Sequence, residues 1–187
     1  MRKVFLFNMV TLDGFFEGLN REFDWHRVDK EFNDFAEQQL NEVDLLLFGR
    51  VTYELMANYL PTEHAVTNDP IIASKMNSML KIVFSRTLKK AAWNNTRLVK
   101  ENIAQEVSRH KNLIGKNIAI FGSSTLAATL MQVDLIDEFR IMINPIILGK
   151  GNPLFKGRND RFNVKLLKTK MFNSGNILLY YRPERKE

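Results

Sequence analysis

Ile118-Ala119-Ile120-Phe121-Gly122-Ser123-Ser124-Thr125-Leu126 is the stretch on which the fold turns. An apolar run ends at a glycine, and three hydroxyl side chains then lead into an apolar helical pattern. This order predicts a buried strand, a tight turn and a helix start. Gly122 permits a sharp turn or the close approach of a ligand. Ser123, Ser124 and Thr125 are the N-cap candidates. The first N–H groups of the helix, aligned with its dipole, face whatever lies beyond the strand end, which is the physics of a phosphate seat. A purely structural strand–helix turn carries the same residues, so the stretch alone does not separate the two.

Working outward, three other apolar runs end in the same manner. Val4 to Val10 reads as a strand buried on both faces, closed by Thr11-Leu12-Asp13-Gly14. Asp44-Leu45-Leu46-Leu47-Phe48-Gly49 is followed by Arg50-Val51-Thr52-Tyr53-Glu54 at a helix start. Lys81-Ile82-Val83-Phe84 is followed by Ser85-Arg86-Thr87. Asp13 at a strand mouth can meet a ligand or satisfy its own turn. An arginine near strand ends can pair with phosphate.

Between these runs lie helical segments. Asp29 to Val43 places Phe32, Phe35, Ala36, Leu40 and Val43 on one face, with Asp29 as cap and Asp34 on a flank or the outer face. Ile71 to Leu80 and Ile103 to His110 are helices, and a short strand lies around Leu98-Val99. Phe15 to Val28, with Trp25 and His26, reads as a long loop over the strand ends, and Asn58 to Asp69 reads as a second loop. Phe139 to Ile143 is a strand, and Asn144 to Phe155 a structured loop rich in glycine and proline. Val164 to Phe172 and Asn176 to Tyr181 form a closing hairpin around Asn173-Ser174-Gly175. Strands alternating with helices and ending in a hairpin predict one α/β domain over residues 1–187, with a mostly parallel central sheet and an antiparallel end. In such sheets ligands gather at the C-terminal strand ends. Asp13, Arg50, Ser85, Arg86, Gly122, Ser123 and Ser124 all fall there.

The composition bounds the function. A chain of 187 residues, 45% hydrophobic, can bury a sizeable core. It has no cysteine, so disulfides and thiolate chemistry are excluded, and a cytoplasmic location is expected. Its three histidines, His26, His64 and His110, lack ligand-like spacing, so no metal is expected. No run approaches a membrane span. The net charge of +6 comes from Lys150 to Glu187, with 10 basic against 3 acidic residues. Lys165, Lys168 and Lys170 in a strand-like run suit a blunted sheet edge, and no specific nucleic-acid partner is expected.

Gly49-Arg50-Val51-Thr52-Tyr53-Glu54 resembles the Gly-Arg-x-Thr-aromatic-Glu motif of dihydrofolate reductases, and Phe84-Ser85-Arg86 resembles their phosphate-binding Ser-Arg. Phe121-Gly122-Ser123, then Val133-Asp134-Leu135-Ile136-Asp137-Glu138, then Pro145-Ile146-Ile147-Leu148-Gly149-Lys150-Gly151 are similar to a second branch of that superfamily. This branch comprises the reductase domain of the bifunctional riboflavin-biosynthesis deaminase-reductase and its stand-alone relatives, whose Ser-Leu-Asp-Gly is matched by Thr11-Leu12-Asp13-Gly14. The zinc-binding Cys and His of the deaminase domain are missing, so only the reductase part is expected.

The resemblance implies a three-layer dihydrofolate reductase-like fold, NADPH as hydride donor, a small heterocyclic substrate and a homodimer. Gly49, Arg50, Thr52, Ser85 and Arg86 would bind the cofactor, with Arg50, Ser85 and Arg86 on its 2′-phosphate side, and Gly122, Ser123, Ser124, Thr125 and Leu126 would hold the pyrophosphate. Trp25, Asn144 and Pro145 would meet the substrate, with Asp13, Asp34 or water as proton source. Dihydrofolate reductases carry Gly-Gly where this chain has Gly122-Ser123, and a first-helix carboxylate where counting back from Arg50 gives Asn33, beside Asp34. A flavin in the same cleft, or a protein of this fold that binds nucleotide without turnover, are the alternatives.

Overall fold

The structure is a computed structural model that describes residues 1–155 and 161–184. Part of the basic C-terminal stretch therefore lies outside the described residues. The strands are β1 (Val4–Thr11), β2 (Phe15–Glu17), β3 (Val43–Gly49), β4 (Leu80–Phe84), β5 (Thr96–Val99), β6 (Asn117–Phe121), β7 (Glu138–Asn144), β8 (Asn152–Pro153), β9 (Val164–Met171) and β10 (Ile177–Pro183). The helices are α1 (Lys30–Asn41), α2 (Arg50–Tyr59), α3 (Glu63–Asn68), α4 (Pro70–Ser78), α5 (Ile103–Lys111) and α6 (Ser124–Gln132).

Eight strands form one sheet in the order β5-β4-β3-β6-β1-β7-β10-β9. The first six of these run parallel, and β10 and β9 are antiparallel. This is the mostly parallel sheet with a closing hairpin that the sequence predicts. Side chains alternate across each strand, so β1 feeds two cores. Val4 and Leu6 pack with Leu126 and Leu130 of α6 and Val107 of α5. Phe5 packs on the other face with Leu40, Tyr53, Ala73 and Met76 from α1, α2 and α4. Helices on both faces explain why β1, β3 and β6 are apolar without alternation.

Element boundaries move where side chains satisfy backbone groups. Asp29 caps α1 by accepting from the Phe32 N–H at 2.8 Å, as expected. Val43 belongs to β3, not to that helix. The expected loop over Asn58 to Asp69 is instead the end of α2 and the short α3, capped by Thr62. The Ile71 to Leu80 helix starts at Pro70 and stops at Ser78. Buried Lys81 donates its ammonium to the carbonyls of Met76, Asn77 and Met79 at 2.7–3.0 Å, ending the helix and releasing Leu80 into β4. The Phe15 to Val28 loop opens with β2, which pairs with β8 in the Asn144 to Phe155 loop. The lysine-rich β9 is a sheet edge, and Lys168 and Lys170 lie 4.2 and 4.4 Å over the rings of Tyr180 and Phe172. Among the described residues no helix is long and apolar enough to cross a membrane.

Candidate functional site

The C-terminal ends of neighbouring parallel strands form one rim. Phe84 lies opposite Gly49, Leu47 opposite Ile120, and Phe7 opposite Phe121. A cavity of about 1170 Å³ opens along this rim. Two helices start in its wall. The first is α2, directly after Gly49, and the second is α6, directly after Ser123; neither start carries a side-chain cap. Both therefore turn free N–H groups and a positive dipole end toward the cavity, which suits an anion.

The chain builds this seat from two consecutive left-handed residues, Gly122 at φ +65° and Ser123 at φ +62°. A Cβ on Gly122 would lie 3.0 Å from the Thr52 methyl group, so the α6 turn sits tightly on α2. A non-glycine residue in this region is uncommon, and Ser123 is held there by a bond. Its Oγ accepts from the Gly49 N–H at 3.0 Å. Of the three N-cap candidates, Ser123 takes the N-cap position of α6, but its side chain makes no capping bond. The Ser123 hydroxyl serves the neighbouring turn instead of its own helix. Gly49, Arg50, Thr52 and Gly122 through Leu126 all line the cavity. Arg50 pairs on the surface with Glu54 at 3.2 Å, a contact that an anion can displace.

Ser85 and Arg86 follow Phe84, a residue of the cavity wall, but stand just beyond it. The Ser85 hydroxyl accepts from the N–H groups of Thr87 and Leu88 at 3.2 and 2.9 Å, so it shapes the turn. Arg86 is exposed on the same rim.

The other half of the cavity is aromatic. Phe7 of β1 and Phe32 of α1 lie 6.5 Å apart between ring centres, and Phe16, Phe23 and His26 of the covering loop line the same cavity. Burial without a carboxylate partner pushes the His26 imidazole down to about 4, so the ring is neutral. His26 Nε2 and Asn8 Nδ2 are buried in this wall and have no hydrogen-bond partner among the described residues. Asn8 stands inside the Val4 to Val10 strand, where it carries no role in the sequence reading, and is the wall residue that reading missed. An amide inside a strand buried on both faces was the available signal. Phe32, Ala36 and Leu40 were read as core, but they also face the cavity.

The expected acids do not reach this wall. Asp34 is exposed and bonds to Lys30 one helical turn earlier, at 2.8 Å, because the apolar stripe of α1 occupies the inner face. Asp13 is also exposed. It accepts from the Thr11 hydroxyl at 2.6 Å and from the Gly149 and Leu148 N–H groups at 2.8 and 3.2 Å. These donors hold its carboxyl below the usual carboxylate range, which suits an anchor for the following loop and not a proton donor. Trp25, Asn144 and Pro145, the expected substrate contacts, do not line this cavity. Asn144 is fully buried, accepts from the Arg27 N–H at 3.0 Å and so pins the covering loop to β7. Pro145 lies beside Gly175 in the closing hairpin turn. Trp25 packs edge-on against His26 at 4.5 Å between ring centres and supports it from behind.

Comparison with known proteins agrees with this architecture. The family model described as the RibD C-terminal domain matches residues 2–178. The uncharacterized protein YyaP of Bacillus subtilis strain 168 is 37% identical over 96% of this chain and 94% of its own length. A solved structure from Shewanella sp. PV-4 superposes with a TM-score of 0.73 at 22% identity, covering 98% of this chain and 99% of that one. The diaminohydroxyphosphoribosylaminopyrimidine deaminase/5-amino-6-(5-phosphoribosylamino)uracil reductase of Thermotoga maritima superposes with a TM-score of 0.69 at 15% identity. That match covers 97% of this chain and 56% of the longer protein.

Proposed function

We propose, from the premise that the chain belongs to the RibD C-terminal domain family, that it is an NADPH-dependent reductase of a small heterocyclic substrate. The observation that carries this reading is the convergence of two uncapped helix starts, α2 and α6, on one cavity that also holds an aromatic chamber. The seat fits a dinucleotide phosphate. Gly122 leaves the backbone open where a side chain would press on Thr52, and the free N–H groups point into the cavity. Gly122 through Leu126 would hold the pyrophosphate, and Arg50 and Arg86 the 2′-phosphate side.

The bound cofactor supplies a hydride to an electrophilic carbon of a C=N or C=O group. The chain's own residues do the rest. Phe7, Phe32 and the covering loop stack a flat ring and exclude water, which fixes the approach of donor and acceptor. The described carboxylates in the wall each accept from a neighbouring side chain, and water is the proton source this reading favours.

The test is a titration of NADPH followed by its fluorescence, then consumption of NADPH with candidate pyrimidines and pteridines. Saturable binding with turnover supports the reading, and no binding at high micromolar concentration removes it. A second reading, a nucleotide- or flavin-binding protein without turnover, is favoured by the outward position of Asp34. Binding without reduction of any heterocycle would select it.

A further inference from the structure

The cavity at the strand ends has a volume of about 1170 Å³, against roughly 300–1,000 Å³ for a typical small-molecule pocket. Its wall includes one whole side of α2, and that helix is apolar on two faces. Tyr53 and Leu60 are buried in the core, with Ala57 packed beside them. Thr52, Leu55, Met56 and Tyr59 recur at i, i+3, i+4 and i+7, so they share a second face, and all four line the cavity. This stripe begins beside the seat at the α6 turn, because a Cβ on Gly122 would meet the Thr52 methyl group at 3.0 Å. It ends where the Tyr59 hydroxyl meets Asp69 at 3.5 Å. Between Thr52 and Tyr59 the helix rises roughly 10 Å.

Unlike the core face, the second face is open. Leu55 is 45% exposed and Tyr59 40%, and Met56 is half-buried. Phe32 and Ala36 of α1 and Ile72 of α4 are also half-buried and line the same cavity. Side chains of α1, α2 and α4 thus keep apolar surface accessible in one cavity wall. Continuous apolar surface left open in a concave site marks where an apolar group is received.

We propose that the heterocycle taken by this cavity carries an apolar arm, aryl or alkyl and up to roughly 10 Å long, that lies along the Leu55-Met56-Tyr59 stripe of α2. This rests on the reductase reading for the cofactor and names the substrate class of the same cavity. The stripe is continuous with the α6 turn through Thr52, so a group that covers it shares the cavity with the cofactor. A polyhydroxylated arm would set its hydroxyls against Leu55, Met56 and Ile72, where they lose water and gain no partner.

The experiment measures, by calorimetry at saturating NADPH, the binding of the pteridine lumazine, of lumazine with a phenyl group at C6 or at C7, and of lumazine with a trihydroxypropyl chain at C6. NADPH binding itself is followed separately by fluorescence. The expected result is that one phenyl derivative binds about tenfold or more tighter than the bare ring, a gain of the size that burying apolar surface brings. Leu55→Asp, at a position outside the core, erases that gain while NADPH affinity holds. The proposal is overturned if neither phenyl derivative gains on lumazine, or if the trihydroxypropyl derivative binds tighter than both. A gain that survives Leu55→Asp and Tyr59→Asp alike also overturns it, and self-association lost in those variants then assigns the stripe to contact between copies. Failure of NADPH to bind sinks the reductase reading instead. The neutral fluorophore prodan, bound by the unaltered chain and released by Leu55→Asp, still decides whether the stripe takes an apolar group.

Discussion

The backbone N–H of Gly49 donates to the hydroxyl of Ser123 at 3.0 Å, joining the start of one helix to the start of another 74 residues along the chain. A Cβ on Gly49 would lie 2.2 Å from that oxygen. Gly49→Ala is therefore expected to push the two turns apart and lower NADPH affinity by about tenfold or more, at a stability cost of roughly 1–3 kcal/mol. Fluorescence titration and urea denaturation of the same preparation check both.

Arg86 is exposed on the rim beyond Phe84. If it meets the 2′-phosphate, Arg86→Ala lowers NADPH affinity by roughly 10- to 150-fold and leaves NADH affinity nearly unchanged. Equal losses for the two cofactors count against the assignment.

Asp34→Asn is expected to leave NADPH oxidation within about twofold, because loss of a true proton donor costs roughly 10²–10⁴-fold. Asp13→Ala should act differently. Freed from their acceptor, the Leu148 and Gly149 amides should exchange hydrogen faster, which mass spectrometry reads directly.

Lys81 is 1% exposed and satisfies three carbonyls while lying 4.5 Å over the Trp93 ring. Lys81→Met should cost about 2–4 kcal/mol in urea denaturation. NADPH affinity should hold, since Lys81 sits at the end of β4 away from the cavity.

The His26 ring titrates at about 4 in the folded chain against 6.5 when free. Between those values the unfolded chain takes up a proton that the folded chain refuses, so stability falls as the pH falls through this window. The loss from about pH 7 to about pH 5 is roughly 2 kcal/mol. His110, also lowered by burial, acts in the same direction. His26→Phe should flatten the His26 share, and denaturation at the two pH values tests this.

The sheet was legible because buried parallel strands write continuous apolar runs, and Gly49, Phe84 and Gly122 mark where they stop. The turns that open α2 and α6 followed from those endings. What the sequence hid depends on side-chain direction. Asp34 is one residue off the inner stripe of α1, and a strand's two faces cannot be told apart when both are buried, so Asn8 stood in the Val4 to Val10 run without a role. Asp13 and Asn144 were correctly placed at strand mouths, but each also accepts from backbone N–H groups more than a hundred residues away. The Asn58 to Asp69 segment was missed because Thr62 caps a helix too short to show a period.

The paired left-handed residues Gly122 and Ser123 have a kinetic consequence. Their conformational cost is met during folding, so the anion proposed to sit there would find the cradle already shaped and need not wait for a loop to settle. Ionic strength should then slow capture by weakening long-range attraction, while escape depends on local contacts and stays nearly constant.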